Sequence, residues 1–332
     1  MKNYNVFILL SLFALFILGG CSDQHLARQD AFRHWRQDKE KVKVLSTTAM
    51  IGDLVKQVGG EYVNNLVLIQ GELDPHSYQL VKGDDDKLAF ADLIFYNGLG
   101  LEHGPSLAYH LTHNSKAIAL GDQIEHAHSN AIIYVNGQKD PHIWMDISLW
   151  SQALPFIVEA LSQKDPAHAQ DFQANAKQVK AEMDQAHQQV RAILQQVPSN
   201  ERYLVTSHDA FNYFTRAYLA DEEELKAGTW EKRFAAPEGL APESQLSVAD
   251  IRAIIDYMQQ HQIRVLFPES NVSRDSINKI LQAGREQGLK MHIACCPLYG
   301  DAMGPLGSDG DTYLKMIVYD ANMIAKHLNF QE

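Results

Sequence analysis

Short apolar runs at Val42 to Leu45, Leu66 to Ile69, Leu93 to Tyr96 and Ala117 to Leu120 have the length and composition of buried strands. Stretches with helical spacing separate them, Met50 to Val58 and Gly83 to Phe90 among them. Strand and helix in alternation predict a parallel sheet covered on both faces. The second half repeats the pattern with strands at Tyr203 to Thr206, Val265 to Pro268 and Met291 to Cys295, interleaved with helices at Val248 to Gln262 and Ser273 to Gln287. Between the halves, Pro166 to Val197 has no internal Gly or Pro, and Phe172, Ala176, Val179, Met183, Ala186, Val190, Ile193 and Val197 recur every three or four residues. That spacing predicts one amphipathic helix of roughly 45 Å at the α-helical rise. The expected fold is α/β: two lobes, each with a mainly parallel sheet flanked by helices, joined by one long linker helix. The expected boundaries are 42–165 for the first lobe, 166–197 for the linker and 198–332 for the second. No Gly/Ser-rich hinge joins them, so small rather than wide lobe movements are expected.

The amino terminus is of another kind. Lys2 precedes an apolar run from Val6 to Leu18, interrupted only by Ser11, which leads into Leu18-Gly19-Gly20-Cys21. About 13 apolar residues fall short of the roughly 20 that a spanning helix needs. The pattern is that of a signal peptide over 1–20 with a lipobox, leaving Cys21 as the lipidated first residue of an exported chain. Residues 21–41 are polar and lack the aliphatic spacing of a core element, so they are expected to form a tether to the membrane.

Charge narrows the partners. The chain carries 29 Lys and Arg against 41 Asp and Glu, and losing Lys2 with the signal leaves a formal charge of −13. Such a surface repels phosphate backbones, which excludes nucleic acid as a partner. With Cys21 lipidated, only Cys295 and Cys296 remain, and neighbouring cysteines form a disulfide only with ring strain. They are expected to be buried strand thiols, with metal coordination the lesser alternative.

Candidate chemistry lies among the 15 histidines. Asp74-Pro75-His76 and Asp140-Pro141-His142 repeat one tripeptide, each in a loop-like stretch after a β/α unit, where open α/β sheets place their ligands. Ser207-His208-Asp209 follows directly on a predicted strand, and Asp301 lies just beyond another in Leu298-Tyr299-Gly300-Asp301-Ala302-Met303-Gly304. Two candidates come from each half, with a site between them. Glu125-His126-Ala127-His128 reads as a solvated turn rather than a metal-gathering loop. His110 and His113 read as one face of an ordinary helix, and His103, His168, His187, His261, His292 and His327 have no partner that sequence identifies.

A lipobox, then Asp-Pro-His, Pro-His-x-Trp, His-Asp-Ala-Phe after a strand and Asp-Ala-Met-Gly, in that order, resembles the TroA-like zinc- and manganese-binding solute-binding proteins of ABC importers. Tyr96-Asn97-Gly98, Pro268-Glu269-Ser270-Asn271 and Asp311-Thr312-Tyr313-Leu314 extend the likeness over essentially all of the chain after the tether. One departure is Asp146-Ile147, where relatives often carry Asp-Pro. The resemblance implies His76 and His142 as ligands from the first lobe, and His208 and Asp301 from the second. It further implies one divalent transition metal as bound solute, a permease with a separate ATPase subunit as partner, a monomer, and a place at the outer face of the cytoplasmic membrane or in the periplasm. Three imidazoles and one carboxylate suit Zn²⁺, and a bidentate Asp301 would admit Mn²⁺ or Fe²⁺. Since a Glu as third ligand leans towards manganese in this family, His208 leans towards zinc.

A zinc-dependent hydrolase is the alternative from another class, with Asp209 or Glu269 as its base. The chain lacks His-Glu-x-x-His and Gly-x-Ser-x-Gly, and the absence of Gly-Lys-Ser/Thr excludes an ATPase. An adhesion module is a third reading that no residue specifically favours. A non-enzymatic metal carrier is therefore expected.

Overall fold

The computed structural model describes residues 30–242 and 246–329; the expected signal segment and Cys21 lie outside them. In the first half β1 (Val42–Ser46), β2 (Val63–Val67), β3 (Leu93–Tyr96) and β4 (Ala117–Ala119) form one parallel sheet in the order β2-β1-β3-β4. Each crossover carries a helix, including Ala49–Gly59, Asp84–Phe90 and Pro105–Thr112. Both faces are covered, one by the main core and one by a smaller cluster around Leu45, Ile94 and Trp35. That is why the central strand β3 reads as a continuous apolar run, whereas the edge strand β2 carries Asn64 and Asn65 and begins three residues before the predicted run at Leu66. A hairpin of β5 (Tyr134–Val135) and β6 (Gln138–Lys139) follows, turning on Asn136 and Gly137, both at positive φ.

The second half is built on shorter ladders. β7 (Leu204–Val205) pairs with β8 (Phe234–Ala235), and β9 (Val265–Leu266) pairs with β10 (His292–Ile293), all parallel. The Phe267 N–H donates to the Val205 carbonyl at 2.9 Å and links the two pairs. Beyond β9 and β10 the chains stay together through a parallel bridge between Glu269 and Leu298.

The predicted linker is one helix, Ala169–Leu194, preceded by a single 3-10 turn. Its 26 residues span about 39 Å. Phe172, Val179, Met183, Ala186, Val190 and Leu194 form its buried face. That face packs on Ala49–Gly59 and Leu154–Lys164 of the first half and on the last helix, Tyr313–Asn329, which also touches Ala49–Gly59. One apolar cluster consequently runs from Val44 to Leu328 through both halves.

Part of the stretch expected to be a tether is folded against the first half. Residues 30–37 are helical, Trp35 is buried, and its indole donates to the Asn64 carbonyl at 2.9 Å. Two aromatic rings, Phe32 and Trp35, anchor this segment on the sheet; two are too few to register as a periodicity. The cysteines also differ from expectation: Cys295 is exposed and Cys296 half-buried, because β10 ends at Ile293.

A candidate metal centre between the halves

The repeated tripeptides fold alike. The His76 N–H donates to Asp74 Oδ1 at 2.9 Å, and the His142 N–H donates to Asp140 Oδ1 at 2.9 Å. In each case an aspartate closes a turn over a proline and fixes the histidine that follows. His208 is held from across the second half: Glu269 Oε1 accepts from the Ser207 and His208 N–H groups, both at 2.9 Å. Asp301 follows Gly300, where an added Cβ would come to 2.5 Å from Glu269 Oε2, so any larger residue would have to push that carboxylate from its place beside His208. The carboxylate receives the Asn271 side-chain amide at 3.2 Å.

These devices bring His76, His142, His208 and Asp301 together, all buried, with one potential donor atom from each within 4.8 Å of the others. His76 Nε2 lies 3.2 Å from His142 Nε2, His142 Nε2 lies 3.4 Å from Asp301 Oδ1, and Asp301 Oδ2 lies 3.6 Å from His76 Nε2 and 3.1 Å from His208 Nε2. A tetrahedron with metal bonds of 2.0–2.1 Å has edges of about 3.3 Å. Those four separations bracket that value. Asp301 turns both oxygens into the cluster. Neither His208 Nε2 nor Asp301 Oδ1 makes a hydrogen bond, although both are buried. Orphaned polar atoms in such a place call for a ligand.

The outward nitrogens of His142 and His208 each face a carboxylate. His142 Nδ1 lies 2.7 Å from Asp140 Oδ1, and Asn212 donates to the other Asp140 oxygen at 3.0 Å. His208 Nδ1 lies 2.7 Å from Glu269 Oε2. A carboxylate behind each of these two rings orients it and raises its basicity, the arrangement typical of ligating histidines. Burial drives the His76 pKa well below the ordinary imidazole value. For His208 burial acts the same way but is outweighed by Glu269 and Asp301, which raise it well above. Burial would likewise raise Asp301, yet the three imidazoles, His208 foremost, hold it far below the usual carboxylate range. The pocket thus favours an anionic carboxylate facing cationic charge.

A cleft of about 870 Å³ opens beside the cluster, and of the four residues only His76 lines it. His103, unassigned by sequence, stands in that cleft with its ring centroid 5.7 Å from that of His76. Asp140 and Glu269, which support the rings, were also not legible as such; the aspartate two places before His142 was the available signal. His126 and His128 are exposed at the end of the helix Leu120–Ala127, away from the cluster. His113 stacks on Tyr109, and His110 lies 3.6 Å from Asp85, so this pair faces its own helix surroundings. Burial and the nearby Asp140 push Asp209 up to about 6, and its carboxylate accepts from Asn212 at 2.8 Å.

Comparison with known proteins places this architecture. The sequence model of the family described as "ZnuA: Zinc-uptake complex component A periplasmic" matches residues 44–327. "Metal-binding protein YtgA" of Chlamydia muridarum is 40% identical over 293 residues, covering 88% of this chain and 87% of its own length. "Manganese-binding lipoprotein MntA" of Bacillus subtilis is 31% identical over 320 residues, 96% of this chain and 97% of its own. The crystal structure of Fe(III)-bound YtgA from Chlamydia trachomatis superposes with a TM-score of 0.82 at 38% identity, covering 87% of this chain and 98% of that one.

Proposed function

Because this chain belongs to the ZnuA family of metal-binding solute-binding proteins of ABC importers, we propose that it captures one divalent transition metal ion between its halves and delivers it to a permease. The ligands in this proposal are His76, His142, His208 and Asp301. The observation that carries it is the convergence of four buried donor atoms, two from each half, at separations close to a tetrahedral metal site. Zinc fits the imidazole-rich set best. A bidentate Asp301 gives a fifth bond, which suits manganese or iron, the ions named for MntA and for YtgA.

Capture uses neutral imidazoles and the ionised Asp301, and the closed, loaded form is what docks. The permease and its ATPase supply the energy of transport, and release follows a slight parting of the halves. The chain acts as a monomer, exported and held through a lipid on Cys21 at the outer face of the cytoplasmic membrane or in the periplasm. Among the described residues no helix is long and apolar enough to cross a membrane. A hydrolase would need a free base beside the ion, whereas Glu269 is engaged with His208 and Asp209 with Asn212.

The test is elemental analysis of the full-length protein, stripped and reloaded with Zn²⁺, Mn²⁺ or Fe²⁺, beside His208→Ala. One equivalent that disappears in the variant supports the site and ranks the metals. An unchanged metal content in the variant overturns the ligand set.

A further inference from the structure

Away from the buried cluster, a second group of metal-binding side chains meets solvent. Cys295 Sγ lies 3.1 Å from Cys296 Sγ and 3.5 Å from His327 Nε2. The two cysteines lie just past β10 and the histidine near the end of the last helix, so tertiary packing, not sequence proximity, brings the imidazole to the thiols. His292 on β10 stands with its ring centroid 6.2 Å from that of His327, the same separation as His76 and His208 in the buried cluster.

We propose that Cys295, Cys296 and His327 form a second, surface metal site for a thiophilic divalent cation, zinc first, with His292 in reach as a fourth donor. Zinc bonds of about 2.3 Å to sulfur and 2.0–2.1 Å to nitrogen give a tetrahedral S···N edge of about 3.6 Å. The Cys295–His327 separation already matches it. The S···S edge would be about 3.8 Å, so the sulfurs must spread by less than 1 Å from their 3.1 Å separation. Rotation of the exposed and the half-buried thiol must supply that and also carry Cys296 Sγ towards His327, since the three donor atoms do not all lie within 4.8 Å of one another. The donor chemistry also differs from that of the first site: thiolates select softer ions, whereas three imidazoles and a carboxylate accept manganese and iron as well. This site stands independently of the capture site.

Co²⁺ is the probe, because only thiolate ligands give it an intense near-ultraviolet charge-transfer band and the buried cluster contains no sulfur. The full-length protein, reduced and handled without oxygen, is titrated with Co²⁺ beside Cys295→Ser/Cys296→Ser, His327→Ala and His208→Ala. The expected result is a band that is lost together with one metal equivalent in the double cysteine variant, weakened in His327→Ala, kept in His208→Ala, and bleached when Zn²⁺ displaces the cobalt. Absence of the band in the reduced wild type, or its persistence in the double variant, overturns the proposal. Loss of metal in His208→Ala with the band intact reports on the capture site alone, so the two proposals fail separately.

Discussion

The indole nitrogen of Trp144 donates to the Gly300 carbonyl at 2.9 Å, tying a first-half side chain to the backbone immediately before Asp301. The Trp144 carbonyl in turn accepts from the Tyr313 hydroxyl at 2.7 Å, at the start of the last helix. A single residue therefore fixes the loop of one ligand candidate while following two places after another, His142.

Trp144→Phe keeps the packing and leaves the Gly300 carbonyl without this donor. A loss of about 1–3 kcal/mol in stability is expected, as for other buried groups stripped of their partner. Metal affinity falls with it, since Asp301 is less firmly placed. Urea unfolding and a chelator competition check both; an affinity equal to wild type would show that the loop is positioned without the indole.

Glu269→Gln removes the anion behind His208 and retains its size. The expected cost is about 10–100-fold in metal affinity, the range for groups that orient ligating histidines. Glu269 also accepts two backbone N–H groups, which a glutamine oxygen can still do, so the fold should survive. Circular dichroism alongside metal titration separates the two effects.

Protons compete with the metal at His208. Its raised pKa means the metal-free protein keeps a proton there above the ordinary imidazole range, whereas His76, driven down by burial, is already neutral near pH 7. With His208 as the proposed ligand, metal uptake is expected to displace its proton. Affinity should therefore rise with pH until the raised pKa of His208 is passed. Calorimetry in two buffers of different ionisation enthalpy is expected to show proton release; identical heats in both would contradict it.

Trp35→Ala tests whether the segment before β1 belongs to the folded unit. Truncating a buried tryptophan costs about 3–5 kcal/mol, whereas an exposed tether residue would change stability within about 0.5 kcal/mol. The midpoint of denaturant unfolding distinguishes these outcomes.

What sequence made legible follows from where each signal resides. The central strand β3 is buried and stands out as an apolar run, the edge strand β2 with its two asparagines was displaced from its predicted run, and Ala169–Leu194 repeats its buried face over seven turns' worth of spacing. The four converging residues were visible because aspartate, proline and histidine are local to one another, or because histidine directly follows a strand. The second-half ladders are only two residues long, too short to bound from pattern. β8 and the Asn136-Gly137 hairpin escaped notice, the latter despite a turn signal in plain view. His103 beside His76, Glu269 behind His208 and His327 beside Cys295 depend on contacts between distant segments, which periodicity does not encode.

Of the four proposed ligands only His76 lines the cleft, and this sets an expected order of events for the ion. In the proposed site an arriving ion is expected to meet that imidazole first and to shed its water stepwise before His142, His208 and Asp301 close around it, and a departing one to leave by the reverse sequence. Replacing His76 should then slow the association rate, while replacing His208 should mainly shorten the residence time. In the proposed site His76 is thus the front door, and His142, His208 and Asp301, drawn from both halves of the protein, are the back wall.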